Sequence, residues 1–178
     1  MRRGVRLAIL SSIALGLSAP VALAATVQAS MALATPTGPG AAVGSVTITD
    51  APGGAKITVQ LSGLPAGQHG FHVHQNPSCD PGPVGGVVAP AGSAGGHLDP
   101  DKTGMHMGPM GKGHLGDLPY LTVAPDGTDS ETLVAPRLTD VSLLKGRSLV
   151  IHAGGDNYAD QPKPLGGGGP RIACGVVQ

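Results

Sequence analysis

The chain is poor in aromatic residues: among 178 residues there is no tryptophan, one phenylalanine and two tyrosines. Large rings supply much of the buried area of ordinary cores. This core must therefore be aliphatic, with a metal or a disulfide supplying part of the stability. Charged residues are also scarce, at 12% of the chain, and no basic patch suits a nucleic-acid surface. No internal repeat, coiled-coil heptad or amphipathic helix is present. The run Gly166 to Gly169 lacks the Lys-Ser/Thr of a phosphate loop, which excludes that mode of nucleotide binding. The apolar run from Leu7 to Leu17 is too short to span a bilayer.

Arg2, Arg3 and Arg6 precede that run, and Pro20 and Ala22-Leu23-Ala24 follow it. This is the pattern of a secretory signal peptide, cleaved after Ala24. The expected organisation is a leader over 1–24 and one domain over 25–178, exported to periplasm, cell envelope or medium. Arg2-Arg3 is a weak match to twin-arginine export, and no cysteine follows the cleavage site to carry a lipid. Of 11 lysines and arginines, three lie in the leader, so the remainder carries 8 against 11 acidic residues, a net charge of −3. Both cysteines, Cys79 and Cys174, lie in the exported part. An oxidising compartment favours one intramolecular disulfide; two free thiols or a metal pair fit export poorly.

Glycine (30) and proline (17) are abundant, and they separate short β-branched runs, which indicates an all-β domain rich in turns. Thr26 to Ala34 and Gly44 to Thr49 flank a loop, TPTGPGAA, and are expected to pair as a hairpin. Ile57, Val59 and Leu61 share one face of a third strand. In Gly70-Phe71-His72-Val73-His74, Phe71 and Val73 face the core while His72 and His74 share the other face. His69 has the opposite parity and is expected to point elsewhere. Leu121 to Val123 and Thr132 to Val134 flank a turn at Pro125-Asp126-Gly127, and His152 lies opposite Leu149 and Ile151 on a later strand.

From Gly95 to Asp117 the chain has little apolar surface and no periodicity, yet holds His97, His106, His114 and Asp117. Three imidazoles and a carboxylate suit tetrahedral zinc, and binding would offset the cost of ordering the segment. His72, His74 and His152 form an imidazole-only group, which suits copper. Six histidines exceed the needs of one tetrahedral ion, so two metals are expected, with one loop histidine common to both. Met105, Met107 and Met110 flank His106; thioethers suit Cu(I), and adaptable packing around the loop is the plainer reading.

Over most of its length the sequence resembles the copper/zinc superoxide dismutases of the bacterial exported branch. The likeness rests on GFHVH (70–74), GGHLDP (95–100), GHLGDLP (113–119), IHAGGDN (151–157) and GPRIACGV (169–176). It implies a flattened eight-stranded antiparallel Greek-key barrel, an immunoglobulin-like sandwich with long metal-binding and active-site loops. It further implies copper on His72, His74, His97 and His152, and zinc on His97, His106, His114 and Asp117. His97 is then the bridging imidazolate, Asp156 the carboxylate that orients ligands on both sides, and Arg171 the active-site arginine. The implied reaction is dismutation of superoxide to oxygen and hydrogen peroxide by Cu(II)/Cu(I) cycling. His97 shuttles a proton, Arg171 receives the anion, and the protein is a monomer or homodimer. Asp80 to Ala94 contains no lysine, arginine or glutamate, so steering of the anion from this segment is expected to be weak. A metal carrier without turnover would not need Arg171, and a metallohydrolase would need a carboxylate base on the copper side.

Overall fold

The structure is a computed structural model and describes residues 24–178. The leader expected over 1–24 lies, apart from Ala24, outside the described residues. The strands are β1 (Thr26–Thr35), β2 (Gly38–Ala51), β3 (Gly54–Leu61), β4 (Gly67–His69), β5 (Phe71–His74) and β6 (Gly82–Val84). They continue as β7 (Val87–Ala89), β8 (Leu121–Val123), β9 (Thr132–Ala135), β10 (Ser148–His152) and β11 (Arg171–Val176). One curled antiparallel sheet runs β5-β10-β11-β1-β2-β3-β9, and β4 pairs with β8. Gly70 alone separates β4 from β5. Taken as one bent strand, they complete the expected eight-stranded Greek-key barrel. The pair β6 and β7 is a hairpin outside it. No helix among the described residues is long and apolar enough to cross a membrane.

Alternation builds the core. Val46 and Ile48 of β2, Ile57 and Val59 of β3, Phe71 and Val73 of β5, and Leu149 and Ile151 of β10 are all buried. Phe71 is the one aromatic ring among aliphatic neighbours. The segment TPTGPGAA is not a loop: β1 and β2 stay paired out to Thr35 and Gly38, with register shifts near Ala32 absorbing the extra residues. The turn before Thr128 forms, with Ala124 N donating to Thr128 O and Gly127 N to Ala124 O, yet the strands beside it do not pair with each other. Instead β8 joins β4 and β9 joins β3. Asp129 is the reason, because its backbone exchanges two hydrogen bonds with Leu61 and draws the chain across to β3.

Cys79 and Cys174 form the disulfide, with Cα atoms 5.6 Å apart. The bridge ties the segment after β5 to β11, where Cys174 lies opposite Val150 of β10 and Ala32 of β1. It closes a span of 95 residues that includes the whole glycine-rich loop. Replacing both cysteines by alanine is expected to lower the unfolding free energy by about 4 kcal/mol through loop entropy. A urea titration would read this, and an unchanged midpoint would show that the sheet alone restrains the segment.

Candidate metal centre

Two neighbouring strands, β5 and β10, supply the first donors. They pair with His72 opposite Val150 and Phe71 opposite Ile151, which sets His72, His74 and His152 near one another. The outer edge of β5 is closed by the loop. Val73 N donates to Gly116 O at 2.9 Å, and Leu98 N donates to Val73 O at 2.8 Å. Bridges His74–His97 and His72–Asp117 continue this edge, so backbone pairing helps to order a segment that has little apolar surface of its own.

Hydrogen bonds assign the tautomers. His74 Nδ1 lies 2.9 Å from Gly95 O and His152 Nδ1 lies 3.0 Å from Gly169 O; a carbonyl only accepts, so both Nδ1 atoms carry the proton. The two Nε2 atoms are then bare, yet they face each other at 3.4 Å. His72 directs Nε2 to Asp156 Oδ2 at 2.7 Å, leaving its buried Nδ1 without a partner, and His97 Nε2 is likewise unpartnered. These four rings offer donor atoms within 4.8 Å of one another. Desolvated lone pairs so arranged repel unless a cation lies among them.

The second group centres on Asp117. Its Oδ1 is 2.9 Å from His97 Nδ1, 3.0 Å from His106 Nδ1 and 3.3 Å from His114 Nδ1. A tetrahedral ion with bonds of about 2.0 Å separates its ligand atoms by roughly 3.3 Å, so these spacings fit the edges of such a shell. His97 belongs to both four-membered groups. A third cluster, His72, His106 and Asp156, is a carboxylate clasp: Asp156 Oδ2 accepts from His72 Nε2 and Oδ1 from His106 Nε2, each at 2.7 Å. Tyr158 N also donates to Asp156 Oδ1 at 2.8 Å. Gly166, at φ 69°, lies so close that a Cβ there would collide with Asp156 Oδ1.

Burial lowers the affinity of the first group for protons, to about 3 at His152 and to about 4 at His97, well below the ordinary value at His74, and also at His72. These rings are neutral near pH 7. Burial opposes charge on His106 too, but hydrogen bonds to Asp117 and Asp156 outweigh it and push that ring up to about 9. Burial would raise Asp117 and Asp156, whereas their histidine partners hold both well below the usual carboxylate range.

Arg171 donates from Nη1 to Ala91 O and from Nη2 to Gly95 O, each at 2.6 Å. Gly95 O also accepts from His74, so the guanidinium is fastened beside the imidazole-only group. His69 is turned away, as its parity implies. Its two ring nitrogens lie 2.7 Å from His152 O and 2.8 Å from Pro65 O. Arg137 escaped the sequence reading. Its guanidinium forks onto the carbonyls of Gly113 (2.9 Å) and His114 (3.1 Å), and no local motif marks a residue that acts from 23 positions away.

A β-barrel with two adjoining buried donor sets that share one imidazole defines a dinuclear metalloprotein. The all-imidazole set suits copper and the carboxylate-bearing set suits zinc. Residues 42–177 match the family model of copper/zinc superoxide dismutase (SODC). The superoxide dismutase [Cu-Zn] of Brucella abortus is 54% identical over 157 residues, covering 88% of this chain and 91% of the relative. The solved Brucella abortus enzyme superposes with a TM-score of 0.84 over 86% of this chain and 100% of that one, at 54% identity. The monomeric enzyme of Salmonella enterica gives 0.76 at 52% identity, over 86% and 100% of the two chains. The chain belongs to the copper/zinc superoxide dismutase family. Its reaction is the dismutation of superoxide to oxygen and hydrogen peroxide, with copper and zinc as cofactors.

Two outcomes follow from this geometry. Arg137→Ala is expected to weaken cation retention by the Asp117 set roughly tenfold to a hundredfold, read by chelator competition. His106, with its pKa near 9, must shed a proton before Nδ1 can bind. Loading a divalent ion into that set near pH 7 should therefore release roughly one proton per chain. Calorimetry in buffers of different ionisation heat would detect it, and zero release would mean a neutral His106.

Proposed function

We propose that His72, His74, His97 and His152 hold the copper, that His97, His106, His114 and Asp117 hold the zinc, and that His97 bridges the two. The observation that carries this assignment is the convergence of buried donor atoms: His72 Nδ1 and His97 Nε2, which have no hydrogen-bond partner, on one side, and on the other His106 Nδ1 and His114 Nδ1, which face Asp117 Oδ1 at 3.0 and 3.3 Å. Copper supplies the Cu(II)/Cu(I) couple that oxidises one superoxide and reduces the next, and zinc, which has no redox chemistry, organises the loop.

The remaining work falls to the protein. His97 Nε2 takes up a proton and returns it to the nascent peroxide, while Asp117 fixes its Nδ1 face. Asp156 keeps His72 and His106 in their tautomers. Arg171 presents a fixed positive charge and donor groups to a small anion. Residues 1–24 export the chain, which protects the cell envelope against superoxide as a monomer or homodimer. The Salmonella enterica relative is monomeric, which supports the former.

The test is dismutation by residues 25–178 after copper and zinc reconstitution, with both metals quantified in the same sample. About one copper and one zinc per chain are expected, with activity abolished by His152→Ala. Arg171→Ala should lower the rate by roughly tenfold or more with metal content intact. Full occupancy without turnover, or an unchanged rate in the Arg171 variant, would sink the assignment.

A further inference from the structure

Five methionines occur in the chain, and three of them, Met105, Met107 and Met110, fall within six residues. Met31, by contrast, is buried in the core. The three are 47%, 43% and 77% exposed, so each presents part of its side chain to solvent. Burial alternates along the segment: His106 is 1% exposed between two exposed neighbours. The backbone turns that imidazole inward and both flanking thioethers outward.

Gly108, at φ 64°, then reverses the chain, and Gly111 and Gly113 pack so tightly on Met107 that a Cβ at either would crowd it. Met110, two residues beyond this reversal, is exposed as the other two are. Residues two apart on extended backbone are separated by roughly 6.6 Å, within reach of flexible methionine side chains closing on one ion. The platform is also fixed from beneath. Met105 O accepts from His114 N at 2.9 Å, and Met107 N donates to Asp117 Oδ2 at 3.1 Å.

We propose that Met105, Met107 and Met110 form a Cu(I) site on the outer face of the loop, separate from the two buried donor sets. Thioether sulfur is soft and neutral, and it selects Cu(I) over zinc or the hard divalent cations. Such a site binds cuprous ion at the surface, and its ligands overlap with none of those assigned to the buried metals.

The experiment starts from protein already loaded with copper and zinc, kept anaerobic with reductant, and titrates Cu(I) against a chromophoric Cu(I) chelator. About one additional Cu(I) per chain is expected, with sulfur ligation in the X-ray absorption spectrum. The variant M105L/M107L/M110L, which keeps side-chain bulk, should lose that ion while retaining its dismutation rate and buried metals. No additional Cu(I) in the parent, or binding that persists in the variant, would overturn the site. Buried metal content, measured in the same samples, separates this outcome from failure of the ligand assignment above.

Discussion

Unprotonated nitrogens that face one another in a dry interior are the constraint on which this structure turns. The Nε2 atoms of His74 and His152 stand 3.4 Å apart with their protons committed to backbone carbonyls on the far side of each ring. No hydrogen bond can form between them, and water has little access to a pair that is 1% and 6% exposed. In a chain with so few aromatic rings, a cation among these lone pairs does part of the cohesive work that a larger apolar core does elsewhere.

The barrel keeps the arrangement from relaxing. The strand Ser148–His152 sits between Phe71–His74 and Arg171–Val176, so its register is pinned from both sides. His152 N donates to Gly70 O, and the disulfide holds Arg171–Val176 to the segment that follows His74. Aliphatic side chains on the inner faces set the depth of each strand. A one-residue slip would exchange Phe71 and Val73 for His72 and His74, setting imidazoles in the apolar core and apolar groups among the remaining donor atoms.

The core alternation and the chemistry-bearing residues were legible in the sequence for the same reason: parity. In GFHVH the apolar and imidazole faces separate at sight, and in the later strand His152 opposes Leu149 and Ile151. The dense histidines of the loop announced a metal because nothing else could order so much glycine, although the edge of Phe71–His74 proves to share that task. Long-range pairing was not legible. The partner of Thr132–Ala135 depends on two backbone bonds between Leu61 and Asp129, and backbone groups are identical at every residue. Arg137 was hidden too, since its acceptors are main-chain carbonyls brought near only by folding. The hairpin Gly82–Val84 with Val87–Ala89 turns at Gly85-Gly86, within a segment that sequence composition marked only for its missing charge.

Asp156 touches both donor groups through a single carboxylate, one oxygen to His72 and the other to His106. His97 joins the same groups through the two nitrogens of one ring. With two rigid links in parallel, filling one group prearranges the other, and thermodynamic linkage makes that assistance symmetric. Whatever factor the first ion adds to the affinity of the second, the second adds to the first. The two groups are thus wired together, and an ion in either is expected to be felt at the other.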